Sequence, residues 1–169
     1  GARAAAAGAS VMACGRPARL DPALALGAST VTASHGDELV ATVREWSGGA
    51  GADVVIIAVG DPGLVPIAAQ CTAIGGYISC FAGFPAGTLA QIDPNLIHYR
   101  ELTISGSANA TLEDYAAAVA TLSTGVLDLS PLITHEFPLT QVEAALDAVR
   151  SRAGLKVVVR PGRDKPTER

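Results

Sequence analysis

The sequence predicts an α/β fold built on a parallel β-sheet, and two observations support this. Apolar or β-branched segments alternate with segments of helical periodicity over residues 10–110, which is typical of right-handed βαβ units. The run "ADVVIIAVG" at 52–60 is apolar throughout, as expected for a strand covered on both faces of a parallel sheet. The 169 residues are enough for one sizeable domain.

The first part of the chain alternates predicted strands with predicted helices. Strands are predicted at 10–14, 29–34 and 52–60, and helices at 18–28, 36–51 and 61–76. The first strand is a short apolar run, and the second is rich in β-branched residues. Each helix ends at glycine, which readily adopts the left-handed conformation of a helix C-terminus. Pro22 and Pro62 lie in first turns, where proline is tolerated.

The second part of the chain continues this alternation with different spacing. Strands are predicted at 77–85, 101–108, 133–139 and 155–161, and helices at 111–125 and 140–154. Thr111 precedes Asp114 by three residues, which indicates a near capping box at the start of a helix. The polar segment 162–169 is predicted to be a disordered tail.

Composition excludes several classes of protein. Hydrophobic residues make up 49% and charged residues 17%, and the net charge is −4, so nothing favours disorder, a nucleic-acid partner or an anionic membrane. No apolar run is long enough to span a membrane, and the alanine-rich start lacks the features of a signal peptide. Cys14, Cys71 and Cys80 are odd in number and widely spaced, which predicts buried free thiols in a reducing cytoplasm.

Candidate ligand-binding segments lie where the strands end, because parallel sheets bind ligands at the carboxyl ends of their strands. These ends read "CGRP", "AVGDPG", "AGFPAG" and "GSANAT". All four carry glycine, which lets a backbone closely approach a ligand. The histidines His35, His98 and His135 are isolated, which favours surface or supporting positions over metal ligation.

Five segments in register carry a resemblance to a known family. They are "ADVVIIAVG", "GGYISCFAGFP", "DPNLIHYRELTISGS", "LITHEFPLTQVEAALDAV" and "LKVVV". Their order resembles the C-terminal half of the zinc-dependent medium-chain alcohol dehydrogenases, from about residue 3 to 161. The segment "LIHYRELTISGS" is most similar to the threonine, sorbitol and polyol dehydrogenases of that family.

The resemblance implies a Rossmann-like, doubly wound parallel sheet that lacks its first strand, plus a short C-terminal return segment of the catalytic domain. Residues 1–130 would form an incomplete nicotinamide-cofactor domain, 131–161 the return segment, and 162–169 the tail. The opening "GARAAAAGAS" would be the rest of the helix behind an absent G-x-G-x-x-G turn. We therefore expect a C-terminal fragment with no catalytic residues and no metal ligands, the zinc belonging to the missing half.

The missing strand has a structural consequence in this interpretation. It would lie at the centre of the sheet, between the strands at 10–14 and 52–60. Unpaired backbone groups on an apolar core each cost about 1–3 kcal/mol. We therefore expect the isolated chain to be unstable or to aggregate, unless these two strands close up and pair directly.

The resemblance also implies a set of cofactor-binding residues. Arg16 follows the predicted strand at 10–14, where no acid is present, so NADP is slightly favoured over NAD; the alternative is a shorter loop with Arg16 solvated. Lys156 would reach the cofactor phosphates, or simply protect a strand edge. The nicotinamide ribose, its carboxamide and the far side of the ring would meet Ala58, Val59 and Gly60, then Ala82, Gly83 and Phe84, then Gly106, Ser107 and Ala108. The alternative for these glycines is an ordinary turn.

The implied function is hydride transfer between a secondary alcohol, such as a polyol or a hydroxy-amino acid, and NAD or NADP, with zinc as the Lewis acid. The chain itself is expected to bind cofactor without turnover. Two alternatives stay open: a zinc-free quinone or enoyl reductase of the same superfamily, and a non-catalytic Rossmann-like nucleotide-binding module. The strand from Glu101 to Ser107 would pair across a two-fold axis to form a homo-oligomer.

Overall fold

The computed structural model describes residue 5 and residues 7–162 of the chain. The chain forms two compact units, one of Thr32–Tyr115 and one that combines Gly1–Val31 with Ala116–Arg169. The predicted tail at 162–169 and the predicted helix within "GARAAAAGAS" lie largely outside the described residues. The domain boundaries at 130 and 161 stay predictions.

The elements follow one another as the alternating pattern predicts. In chain order they are β1 (Met12–Cys14), a 3₁₀ turn (Pro17–Arg19), α1 (Leu20–Ala25), β2 (Thr30–Thr32), α2 (Gly36–Trp46), β3 (Ala52–Ile57), α3 (Leu64–Cys71), β4 (Thr72–Cys80), α4 (Pro94–Tyr99), β5 (Thr103–Gly106), α5 (Leu112–Ser123), a 3₁₀ turn (Ser130–Leu132), β6 (Ile133–Pro138), a 3₁₀ turn (Leu139–Gln141), α6 (Val142–Arg150) and β7 (Lys156–Arg160). Most expected elements are present within shorter bounds, whereas β4 is shifted to Thr72–Cys80 from the predicted 77–85, and α4 is an addition.

The unit Thr32–Tyr115 is built on a parallel sheet in the order β3-β4-β5. Ile57 and Ile78 face the core on one side of this sheet, where they pack with Ala68 and Ala69 of α3 and with Leu102. The other side is open: Val54 and Ile56 are 56% and 54% exposed. A continuous apolar run was expected to be covered on both faces, but in this chain only its alternate residues are packed.

The end of α3 corrects one prediction. The helix was predicted to continue to the glycines at 75–76, but it ends at Cys71, and residues 72–76 begin β4. Two guanidinium groups bind the backbone carbonyls at this end. Arg100 donates to the carbonyls of residues 69, 70 and 72, and Arg44 donates to the carbonyl of Gln70 at 2.8 Å. These carbonyls have lost their helical partners, and the cations replace them.

The strands β1 and β3 belong to separate sheets. β1 pairs with β2, and β3 pairs with β4, so the direct pairing of the segments at 10–14 and 52–60 is wrong for this structure. Ser29 and Thr30 donate to the carbonyl of Val11 at 2.9 and 3.3 Å, which fixes β2 beside β1. Within the described part of the chain, the second edge of β3 carries no strand. A free edge on β3 is what we expect of a sheet that lacks its first strand.

The C-terminal strands form a small parallel sheet of their own, with β6 and β7 joined by α6. Arg160 donates two hydrogen bonds to the carboxylate of Glu136, from Nε to Oε2 at 2.5 Å and from Nη2 to Oε1 at 3.1 Å. The hydrogen bonds and charge of Glu136 raise the pKa of Arg160. Among the described helices, none has the length and apolar character that crossing a bilayer would require.

Candidate functional site

The carboxyl ends of β3, β4 and β5 lie side by side. The register pairs Ile57 with Cys80 and Cys80 with Gly106, so the segments that follow all leave from one edge of the sheet. The backbone amides of Phe81 and Ala82 both donate to the carbonyl of Ile57, at 3.1 and 3.0 Å. The segment after β4 is therefore fixed across the end of β3.

Gly60 and Gly83 make the closest approach at this edge. A Cβ added at Gly60 would overlap the carbonyl oxygen of Gly83, so only glycine fits at position 60. No heavy atom lies within 4 Å of a Cβ added at Gly83, whose outer side faces open space. The pair makes a thin, backbone-lined edge of the kind that a flat ring can approach closely.

The structure brings three groups of predicted residues to this edge. Gly60 is half-buried, while Ala58 and Val59 are exposed. In the second group Phe84 is half-buried and packs against the core, which anchors the loop and leaves its backbone at the edge. The third group follows β5 and is exposed; it consists of Gly106, Ser107 and Ala108.

Arg16 and Lys156 lie in the other unit, Gly1–Val31 with Ala116–Arg169. Arg16 is exposed, and its carbonyl accepts from the amide of Arg19 at 2.8 Å. Lys156 is exposed at the start of β7. The structure places Lys156 in a cleft of about 330 Å³ with Arg19 and Arg152, and Arg16 is not among the lining residues.

The two further cations, Arg19 and Arg152, were missed from the sequence. Arg19 is three positions after the arginine that was singled out, in the same connection between β1 and α1. Arg152 belongs to the basic run "RSRAGLK" at 150–156. The spacing of that run was a usable signal, but nothing local in the sequence indicates that Arg19 lies beside it.

The described residues offer no ligand set for zinc. Within residues 7–162, no group of three His, Cys, Asp or Glu side chains is placed to hold a metal ion. His135 has its Nδ1 at 3.0 Å from the hydroxyl oxygen of Thr134, and His98 stacks edge-on against Tyr99. The described residues therefore do not fit a zinc site.

A parallel α/β sheet whose glycine-bearing loops gather at one edge defines a Rossmann-like nucleotide-binding fold. Residues 1–124 match the zinc-binding dehydrogenases, and the chain belongs to that family. The predicted family and fold class are thereby confirmed.

Individual relatives agree with this membership. L-threonine 3-dehydrogenase of Bacillus licheniformis is 27% identical over 144 residues, which are 85% of this chain and 41% of that protein. D-arabitol-phosphate dehydrogenase of Enterococcus avium is 30% identical over 145 residues, 83% of this chain and 40% of that protein. This chain therefore spans about 40% of the length of the relatives it matches.

Solved structures show the same fold. An alcohol dehydrogenase from Thermotoga maritima superposes with a TM-score of 0.81 at 25% identity, over 90% of this chain and 43% of that one. Benzyl alcohol dehydrogenase from Acinetobacter calcoaceticus superposes with a TM-score of 0.83 at 23% identity, over 96% of this chain and 47% of that one.

Proposed function

We propose that the chain is the cofactor-binding part of an oxidoreductase that moves a hydride between a secondary alcohol or polyol and NAD or NADP. The relatives include dehydrogenases of threonine, arabitol phosphate and butanediol, which supports an alcohol carbon as the reacting centre. When bound, the nicotinamide cofactor supplies the hydride chemistry. The residues of this chain bind and orient the cofactor.

The close approach of Gly60 and Gly83 is the observation that supports this most directly. Loops that leave the sheet side by side, with backbone groups at their outer edge, can hydrogen-bond a flat carboxamide and fix which face of the ring points outward. Val59 adds an exposed apolar side chain at the same edge. We propose that the nicotinamide ring is bound at this edge by three groups of residues: Ala58 to Gly60, Ala82 to Phe84 and Gly106 to Ala108.

The metal is assigned to another part of the protein. The described residues include no group of three His, Cys, Asp or Glu side chains placed to hold zinc. We propose that zinc ligands come from the portion of the relatives that this chain does not span, and that the chain alone shows no turnover. Residues 1–130 then act as an incomplete cofactor domain, and 131–161 as the return segment.

NADP is proposed as the slightly preferred cofactor. Cys14, Gly15 and Arg16 follow one another at the end of β1, with no acid to hydrogen-bond an adenosine ribose. An arginine at such a strand end suits a 2′-phosphate. A homo-oligomer through the strand from Glu101 to Ser107 is proposed as well, because in the described part of the chain β5 pairs on one edge only.

Calorimetric titration of the 169-residue chain with NADPH and NADH tests the proposal. The test variant is Gly83→Val, which adds a branched side chain into open space at the ring-binding edge. We expect about tenfold weaker dinucleotide binding with unchanged stability, since a steric mismatch costs roughly 1–3 kcal/mol.

The matched control is Ala86→Val, which adds bulk at an exposed position of the same loop, outside the proposed set. Equal affinity of the two variants for NADPH would contradict the proposed edge. Binding of neither dinucleotide by the unchanged chain would contradict the proposed function.

A further inference from the structure

A histidine lies directly behind the basic cleft, which is the cleft that holds Arg19, Arg152 and Lys156. Gly154 also lines this cleft, and a Cβ added at that glycine would overlap the Nδ1 atom of His135. The carbonyl of the same glycine accepts a hydrogen bond from Arg19 Nη2 at 3.3 Å. The backbone of residue 154 therefore contacts both the imidazole and a guanidinium group of the cleft.

The hydroxyl group of Thr134 joins this imidazole to the turn that enters β7. Its Oγ1 lies 3.0 Å from His135 Nδ1, accepts from the amide of Leu155 at 3.0 Å, and lies 3.4 Å from the carbonyl oxygen of Lys156. A hydroxyl group has one proton to donate, so it can donate to the imidazole or to that carbonyl but not to both. The protonation state of the imidazole decides between them.

The neutral and the protonated imidazole both fit these contacts. A neutral ring that carries its proton on Nε2 accepts at Nδ1 from the hydroxyl of Thr134. A protonated ring donates from Nδ1 to the hydroxyl oxygen, and the hydroxyl proton then turns to the carbonyl of Lys156, the first residue of β7. Protonation therefore needs no backbone rearrangement, and it adds a positive charge beside the cleft.

The other charged groups around β6 do not oppose this added charge. On β6 and on the elements packed against it they are two ion pairs, Glu136 with Arg160 and Asp147 with Arg150, the exposed Glu143 in the first turn of α6, and Lys156 of β7. Each ion pair is close to neutral, and solvent screens the exposed carboxylate. The residues that line the basic cleft include no acid, so its cations set the local sign of the charge.

We propose that protonation of His135 tightens the binding of an anion in the basic cleft, so that binding there depends on pH. The identity of the anion rests on the proposed function, in which Lys156 reaches the phosphates of a dinucleotide. Histidine changes its charge between about pH 5 and pH 8, and a further positive charge beside an anion strengthens binding by Coulomb attraction. By linkage, the bound anion in turn favours the protonated imidazole.

Sulfate and NAD⁺ are suitable probes, because neither changes its charge between about pH 6 and pH 8, where histidine titrates. Sulfate offers the anion without a nucleoside, and NAD⁺ offers it as the diphosphate of a dinucleotide. Calorimetric titration of the 169-residue chain at low ionic strength gives the affinity at each pH. We expect binding of both probes to be about fivefold tighter at the lower end of this range than at the upper end.

The decisive variant is His135→Gln, which keeps a polar side chain beside Thr134 and carries no charge at any pH. Its affinity is expected to vary by less than about twofold over the same range. The matched control is His98→Gln, which removes a titrating imidazole that stacks against Tyr99 in the unit Thr32–Tyr115. The control is expected to keep the pH dependence of the unchanged chain. A full pH dependence in His135→Gln, or an equal loss in both variants, overturns the role of His135.

A second measurement uses the unchanged chain and so does not depend on how a variant folds. The NMR ring signals of His35, His98 and His135 report the charge of each imidazole. At a fixed pH of about 6.5, sulfate is expected to move the His135 signal toward the position of the protonated ring and to move the other two much less. A His135 signal that moves no more than the other two overturns its role.

This proposal and the proposed function fail separately. NAD⁺ binding whose pH dependence is the same in His135→Gln overturns the role of His135 and leaves the proposed function standing. Sulfate binding that tightens through His135, in a chain that binds no nicotinamide dinucleotide, supports that role and contradicts the proposed function. A chain that binds neither sulfate nor NAD⁺ across this pH range overturns both.

Discussion

The two faces of the β3-β4-β5 sheet are built from the same kinds of residue and differ in what covers them. Ile57 is 4% exposed and packs against α3, whereas Ile56, its neighbour in the same strand, is 54% exposed. Strand side chains alternate between faces, so one residue step moves an isoleucine from core to surface. The apolar pattern of a strand thus specifies two packing surfaces, and among the described residues only one of them is closely packed.

The largest difference in the free energy of unfolding is expected between alanine substitutions at two adjacent isoleucines. Ile57→Ala removes a buried side chain from a packed core and is expected to lower the free energy of unfolding by about 3 kcal/mol. Ile56→Ala removes the same atoms from the open face and is expected to cost under about 1 kcal/mol. Urea denaturation followed by circular dichroism measures both. Similar losses would mean that the open face is packed in solution.

The second effect concerns the guanidinium groups at the end of α3. Arg100→Ala is expected to lower the free energy of unfolding by about 2 kcal/mol, because the carbonyls of residues 69 and 72 lose this donor, whereas that of Gln70 keeps Arg44. Burial, and then the charge of Arg44, lower the pKa of Arg100, but it stays a cation at neutral pH. Arg100→Lys keeps the charge without the fork, and full recovery in that variant would contradict the hydrogen-bonding role.

The third effect is a pH dependence of stability that arises from the capping box at the start of α5. Hydrogen bonds from the amide and hydroxyl of Thr111, at 2.9 and 2.7 Å, lower the pKa of Asp114. The folded state then binds the proton less well than the unfolded state, so this contribution is complete above the ordinary pKa of about 4. It is lost as the pH falls through the lowered pKa.

Thr111→Val is expected to flatten this pH dependence in melts between about pH 5 and pH 2. Glu113→Gln is the control, since it removes a carboxyl from the same turn and leaves the capping pair in place. If Glu113→Gln flattened the pH dependence of stability and Thr111→Val did not, the carboxyl responsible would not be that of Asp114.

The smallest effect on stability, and a clear one on solubility, is expected for charge on the open face. Ile56→Lys should reduce self-association, measured by light scattering at increasing concentration, because exposed apolar strands with a free edge invite pairing. Leu89→Lys is the control, since Leu89 is an exposed apolar residue in a loop. If both variants reduced self-association equally, the open face of the sheet would not be its cause.

Local chemistry was predicted well from the sequence. The spacing of Thr111 and Asp114 predicted a near capping box, and the structure confirms it with reciprocal hydrogen bonds. The short helix α4 was missed although its signal was present: Asp93 accepts from the amide of Asn95 at 2.9 Å, and Pro94 fills the first position.

Non-local contacts account for the errors. The glycines at 75–76 indicated the end of α3, but the helix ends at Cys71, where its last carbonyls accept hydrogen bonds from Arg44 and Arg100, 26 and 31 positions away. Arg19 was missed for the same reason, because its guanidinium meets the carbonyl of Gly154 across 135 positions. A sequence indicates caps and turns because these depend on neighbouring residues. Contacts between distant residues depend on how the whole chain folds.

The ion pair between Glu136 and Arg160 also bears on the order of folding. The two residues are 24 positions apart, so closing the loop between them loses less entropy than bringing together Arg19 and Gly154, which are 135 positions apart. Low contact order favours rapid formation. We therefore expect the β6-α6-β7 segment to assemble early, with substitutions at Arg160 slowing refolding more than they accelerate unfolding.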